Sequence, residues 1–579
     1  MGESKNIIVA IALSLLFMFG YNEFYLGPKL EKERLAYEEQ QKALEGSQIP
    51  GKAPTDPAKV IPGQKPASSV ETGGQISLAD ALSETTRLKI STPELIGSLS
   101  LRGAIIDDLQ LVNHKVEKDS EDLIRLLTPM GIRGEKAYYT RFGWVDSNLN
   151  SLVPENALWT SNSTELTPTS PVTLSYVNAE GIEFIQTISV DDKFMFTVEQ
   201  TINNNSTADV AASAYGLVER QGPIETDGMF ILHEGLIAGL SDEANKTLIE
   251  LDYEDAATDP INQETTGGWL GITDKYWMTV LVPDQKTVLP RAAMSQMGAA
   301  YGAEYFNYVE TVKANESATV TNRFYAGAKD VPTIRQYQED LGVEIFIDSV
   351  DWGWFHFITY PFYVALHFLF GLVGNFGVAI ILFTIVIKLA LFPLANKQYV
   401  SMAHMKKVQP QIKKMQERYK DDRAKLQQEM MALYKKEKIN PMAGCLPIFI
   451  QIPIFFSLYK VLYVTIDMRH QPFFGWITDL SAPDPLTPLN LFGLIPWDPP
   501  SLIAVGIWPI LMGVSMWAQQ KMNPTTMAPE QQKIMNMLPI IFTFILANFA
   551  AGLVIYWTWN AILSVAQQYV ITRREEAKG

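Results

Sequence analysis

The sequence predicts an α-helical polytopic membrane protein of six spans, five of them in a C-terminal core. A large external β-sandwich is inserted after the first span, and a helical hairpin lies on the cytoplasmic side. Three observations predict this. Apolar runs long enough for a hydrocarbon core of ~30 Å recur beyond residue 350, whereas residues 83 to 330 alternate apolar and polar side chains with period two. Charge divides at the same place: residues 27–350 hold 26 Lys/Arg against 48 Asp/Glu, and residues 351–579 hold 20 against 13. The third observation is the run 376–396, FGVAIILFTIVIKLALFPLAN, which is apolar throughout its centre yet carries Lys388.

Taken in order, residues 1–26 hold the apolar run IIVAIALSLLFMFG after Lys5, with no small-x-small cleavage site behind it. An uncleaved signal anchor with a cytoplasmic amino end is expected. Residues 27–82, rich in proline between Pro50 and Pro66, suit a flexible tether that holds the next domain loosely. Residues 83–340 form the expected β-sandwich: GIEFIQTISV and KFMFTVEQTI, separated by Asp191-Asp192, read as a hairpin of half-buried strands. His114 and His233 are isolated and no nucleophile elbow occurs, so this domain is assigned no chemistry. A single cysteine, Cys445, excludes an internal disulfide.

Residues 341–375 contain nine aromatics between Trp352 and Phe370. They are apolar enough to span, but an odd number of crossings must separate an exported domain from a basic inner loop, and the run 376–396 supplies one. A helix in the outer interface is therefore expected. Between Lys397 and Lys438 the chain has 12 Lys/Arg against 5 Asp/Glu, which places a helical hairpin, 397–441, in the cytoplasm. Its Met402, Met405, Met415, Met430 and Met431 make a soft apolar face for substrates or partners, or for packing between the two helices. Spans follow at about 443–466, 502–520, 534–549 and 552–571, with Asn548 to Gly552 breaking the last apolar region in two. Together with 376–396 and the hairpin they make a core over 376–579, its C-terminus cytoplasmic.

Lys388 lies roughly 18 Å along a helix from Phe376, where a charge costs roughly 3 kcal/mol or more unless it faces a bundle interior or water. Snorkelling to the interface is the bland alternative. Thr384 shares its face, and Gln451 is embedded in the next span. Tyr556, Asn560, Ser564 and Gln567, with Trp557 beside them, recur at helical spacing, as do Ser515 and Gln519. Such stripes either bond helices together or line a groove. No acidic residue falls in the five C-terminal spans, which argues against a proton relay or cation site and for attraction of acidic polypeptide. A solute transporter is the alternative class, but no internal repeat is visible. An intramembrane hydrolase would need a Ser/His or paired-carboxylate constellation, and none is seen, so no enzyme is expected.

MMALYKKEKINPMAGCLPIFIQIPIFFSLYK, followed by QQKIMNMLPIIFTFILANFAAGLVIYWTWN, resembles the signature of the YidC family of membrane-protein insertases, related to the mitochondrial and chloroplast insertases. The likeness is strongest over 350–573 and architectural over 27–340. It implies a bacterial inner-membrane insertase and chaperone with a periplasmic sandwich, working alone or with the Sec translocon. Implied partners are nascent membrane proteins, the lipid bilayer, the signal recognition particle receptor and the ribosome, without nucleic acid, nucleotide, metal or cofactor. The implied groove opens to cytoplasm and lipid, with its one positive residue at Lys388, where most members have arginine. A lysine keeps the charge but loses the bidentate fork. No long basic tail precedes Gly579, so tight ribosome binding is not expected.

Overall fold

The computed structural model describes residues 76–222, 232–242, 245–419, 422–437, 446–492, 504–523 and 529–577, with a few single positions between them. The first anchor, nearly all of the tether, Asn440-Pro441 and Cys445 lie outside the described residues. The described residues of this region begin before the expected boundary at 83. Ile76 bridges to Ile132, and Ser77 caps helix α1, Leu78–Ser83, by accepting from the Asp80 amide at 3.2 Å.

Alternating apolar residues build two sheets, one 11-stranded and one 9-stranded among the described residues, paired almost entirely antiparallel. The hairpin expected from GIEFIQTISV and KFMFTVEQTI, residues 181–190 and 193–202, is present as Ile182–Val190 and Met195–Asn204, with Phe196 opposite Val190 and Asn204 opposite Ile182. Asp191 shapes the turn, its carboxylate accepting from the amides of Lys193 and Met195 at 2.9 and 3.1 Å. Ile182, Phe184, Ile188 and Val190 point to one face and are buried, each such side chain contributing roughly 1.5–3 kcal/mol. Two buried glutamines on that face reach the opposite sheet: Gln186 donates to the Phe142 carbonyl at 2.8 Å and Gln200 to the Gly143 carbonyl at 2.9 Å. These bonds fix the facing of the sheets, since breaking one strands a buried polar group.

Helix α2, Val331–Leu341, capped by Asp330, leads from the sandwich to α3, His356–Val373. Gly374, at φ 68°, ends α3, and Asn375 starts α4, Phe376–Ala390, by accepting from the Val378 amide at 3.0 Å. The sequence expectation carries this span to Asn396, but the helix stops six residues earlier. Pro393 has no amide to donate, so the helix breaks at Leu391 and α5, Phe392–Arg418, leaves at 68°. Helix α6 is Arg423–Lys436, α7 Leu446–Val464, α8 Ile507–Met522, α9 Pro529–Ile545 and α10 Ala551–Ala577. The break expected near Asn548 is a 3₁₀ turn, Leu546–Asn548, between α9 and α10. Among the described residues, α3 is the one helix that is by itself both long and apolar enough to cross a membrane, and α4 with α5 passes only as a bent pair.

The sandwich is docked on the helices, which corrects the expectation of a loosely held domain. Lys460, at the end of α7, pairs with Asp351 at 2.6 Å, and the same carboxylate oxygen accepts from the His233 amide at 3.1 Å. Arg469 donates to the carbonyls of Lys115 and Val116 at 2.7 and 2.8 Å, and the Lys275 ammonium lies 3.5 Å from the Tyr463 ring centre. Apolar packing is continuous from Leu88 in the sandwich to Tyr556 in α10. The tether expectation concerned only the amino-terminal attachment, whereas these contacts are made by side chains far apart in sequence.

Candidate functional site

The bend at Leu391 shapes a cavity. Because α5 turns away from α4, it lays Gln398, Tyr399 and Met402 along a space of about 850 Å³ whose other walls come from α4, α7, α8, α9 and α10. Lys388, in the last turn of α4, lines it, where a cation also suits the negative end of the helix dipole. Its ammonium donates to the Ser564 hydroxyl at 2.7 Å, and that hydroxyl donates in turn to the Asn560 carbonyl at 2.7 Å. Among the described residues no carboxylate lies within 4 Å of the ammonium and none lines the cavity. The space therefore holds a positive charge satisfied by a hydroxyl alone, the arrangement that leaves most of its field for an incoming anion.

Polar residues share this wall with apolar ones. Gln451, Gln519, Asn523, Asn560 and Gln567 line it together with Ile452, Phe455, Phe456, Phe542 and Phe549. Buried polar atoms of two lining residues, Trp557 Nε1 and Gln567 Oε1, have no protein partner among the described residues. A cavity with such atoms is roomy and polar enough to hold water. Phe455 and Trp557 meet edge to face at 5.1 Å, which fixes the indole against α7.

The expected groove residues do not all reach this space. Lys388, Gln451, Gln519, Trp557, Asn560 and Ser564 line it. Tyr556 is buried behind it and accepts from the Gln451 amide at 2.9 Å, so it positions that side chain. Thr384 is buried and spends its hydroxyl on the Ile380 carbonyl at 2.7 Å, and Ser515 does the same with the Leu511 carbonyl at 2.8 Å. Both satisfy their own helices and stand outside the lining. Of the methionines, Met402 lines the cavity, while Met405, Met415 and Met430 pack on Val408, Ile412, Leu433 and Tyr434 between α5 and α6. Met431 is exposed. Sequence reasoning missed Gln398, Tyr399, Asn523 and the aromatic wall. Pro393 was the available signal, because a proline just after an apolar span turns the following polar helix back across its end.

Comparison with known proteins follows the same division of the chain. Residues 87–365 match the family described as YidC periplasmic domain, and residues 368–578 match the family described as 60Kd inner membrane protein. The "Membrane protein insertase YidC" of Rhizobium meliloti (strain 1021) is 46% identical over 585 residues, covering 100% of this chain and 97% of its own. That of Methylorubrum extorquens (strain PA1) is 45% identical over 601 residues, covering 100% and 96%. A solved structure of an active YidC insertase with its first transmembrane domain resolved aligns with 84% of this chain and 92% of its own, at 18% identity and a TM-score of 0.35. On the full-length identities and the two family matches, this chain belongs to the YidC family of membrane protein insertases.

Proposed function

We propose that this protein inserts and helps fold inner-membrane proteins, alone or beside the Sec translocon, by receiving them in the cavity around Lys388. The observation that carries the mechanism is the lone ammonium in a polar-and-aromatic cavity, bonded to Ser564 and to no carboxylate among the described residues. An acidic segment bound for the far side of the membrane is drawn to that charge. Water beside Gln451, Asn560 and Gln567 lowers the cost of carrying its polar backbone into the membrane. The substrate's apolar segment meets Ile452, Phe455 and Phe456 on α7 and leaves sideways into lipid.

This reading takes the cavity as open to cytoplasm and lipid and closed on the outside. The protein crosses six times with both termini cytoplasmic, α5 and α6 form the cytoplasmic hairpin, and α3 lies in the outer interface. Supporting the placement of α3 are its exposed Phe357, Val364, Phe368 and Leu372, which make an apolar face for lipid. Nascent chains delivered by ribosomes and the signal recognition particle receptor are the substrates.

A photoreactive residue at Ile452 or Gln519 tests the proposal against stalled nascent membrane proteins. Adducts should form with the substrate's first apolar segment and its flanking acidic residues. Adducts confined to small solutes or lipid would overturn it.

A further inference from the structure

We propose that the segment between α7 and α8 ends in a lipid-dipping tongue, with Leu489, Leu491, Phe492 and Leu494 seated in the bilayer leaflet on the side of the β-sandwich. The run Leu486 to Trp497 has no charged residue. Its apolar side chains are turned outward: Leu491 and Phe492 are more than half exposed and Leu494 is 82% exposed, with Leu489, Ile495 and Trp497 also open. An apolar surface of this kind without a covering element marks a place where something else supplies the cover.

Backbone bonding shows that lipid can be that cover. The amide of Leu489 donates to the Thr487 hydroxyl at 3.3 Å, that of Leu491 to the Pro488 carbonyl at 3.1 Å, and that of Phe492 to the Thr487 carbonyl at 3.1 Å. Those of Leu494, Ile495 and Trp497 donate to the carbonyls of Leu491, Asn490 and Ile495 at 3.3, 3.0 and 2.8 Å. These six amides are met by the loop's own acceptors, which lowers the cost of moving this stretch of backbone from water into the membrane interface.

Its conformation is held at a cost. Leu491 and Phe492 are consecutive non-glycine residues in the left-handed region, at φ 48° and 60°. Strained residues persist where the surroundings compel them, and here no interior packing repays the strain, because both side chains point out. Burial of those side chains in lipid is the compensating interaction.

Position selects the bilayer over a protein partner. Asp484 pins the base of the tongue to the start of α8, accepting from the Trp476 indole at 2.8 Å, the Leu486 amide at 3.0 Å and the Trp508 amide at 2.8 Å. The base of the tongue is thereby held at the start of α8, a helix whose Leu511 and Val514 are exposed and which spans the membrane in the six-span reading, on which this inference rests. Nearby, Lys118 of the sandwich donates to the Thr478 carbonyl at 2.6 Å, which identifies the side of the membrane. A protein-binding patch carries a polar rim, whereas this run carries no charge at all.

Spin labels test the tongue in the whole protein. In a Cys445→Ser background, Leu494→Cys and, independently, Leu489→Cys are labelled with a nitroxide, and the purified protein is reconstituted into phosphatidylcholine–phosphatidylglycerol vesicles. Val514→Cys serves as the lipid reference and Leu158→Cys, on the exposed sandwich, as the aqueous one. Both tongue labels should collide several-fold more with oxygen than with a water-soluble nickel chelate, at a depth of roughly 5–10 Å below the phosphates. Nickel collisions matching those at Leu158, with Val514 still shielded, would overturn the tongue and leave the span reading standing. A Val514 label open to nickel would overturn both together.

Discussion

Lys388 is a cation with a hydroxyl for company, and its chemistry rests on that imbalance. Lys388→Arg should retain function, because the charge stays in the cavity. Lys388→Ala should impair substrates with acidic exported tails more than those with neutral tails, and Lys388→Glu should impair the acidic class most, by on the order of tenfold, equivalent to about 1.4 kcal/mol. Insertion of matched substrates that differ only in tail charge is the measurement, and equal defects for both tails would rule out electrostatic capture. A second lysine, Lys329, is enclosed in the sandwich, donating to the Thr273 hydroxyl at 2.9 Å. Burial pulls its pKa down to about 8, against the partial opposing effect of Asp351 and Asp274. Between pH 8 and the ordinary 10.5 the unfolded chain binds the extra proton, so this group makes stability rise with pH across that window and costs stability below it. Lys329→Met should therefore stabilise the protein at pH 7, by on the order of 3 kcal/mol, with the advantage fading between pH 8 and 10.5 and absent above it. Thermal unfolding of the two proteins as a function of pH checks this; an advantage independent of pH would refute the titration.

At the scale of elements, the turn from α4 into α5 decides what the cavity contains. Pro393 interrupts the helix, and the polar helix that follows contributes Gln398, Tyr399 and Met402 to the wall. The α5–α6 pair separates its methionines into two kinds. Met430 packs on the cluster around Ile412 and Leu433, whereas Met431, its neighbour in sequence, is exposed. Met430→Asp should loosen the pair by about 2–4 kcal/mol, since it puts a charge among apolar side chains, and proteolysis within 397–438 should quicken. Met431→Asp should leave that proteolysis unchanged, so any insertion defect it causes reports contact with a substrate or partner. Faster cleavage in the Met431 variant would show that this face is also structural.

For the whole molecule, the ion pair between Lys460 and Asp351 joins a helix of the core to the segment leaving the sandwich, with side-chain exposures of 11% and 15%. Removing one partner leaves the other charge enclosed, which costs roughly 3–5 kcal/mol in buried pairs. Asp351→Asn should accordingly loosen the sandwich on the core, seen as faster amide exchange in residues 341–356, and Asp351→Asn with Lys460→Met should recover part of the loss. Equal exchange in the single variant and the parent would mean that Arg469 and the continuous apolar packing hold the interface without it.

The sandwich hairpin around Asp191-Asp192 was legible because strand period and turn chemistry are local properties of consecutive residues. Lys388 was legible for the same reason: a charge within an apolar run is costly wherever the fold puts it. Polar spacing along α10 identified Asn560 and Ser564, but spacing alone could not tell a side chain that faces the cavity from one that bonds to its own helix. Thr384 and Ser515 took the second course, because a hydroxyl one turn from a carbonyl has a partner before any neighbouring helix arrives. Gln398 and Tyr399 entered the cavity through a bend, and Lys460 found Asp351 across the docking of two domains. Sequence by itself thus determined which segments are strand, helix and apolar, and where a charge is unaffordable without help. Only tertiary structure decided which polar side chains meet, because that depends on the angle between helices and on contacts between residues that no local pattern connects.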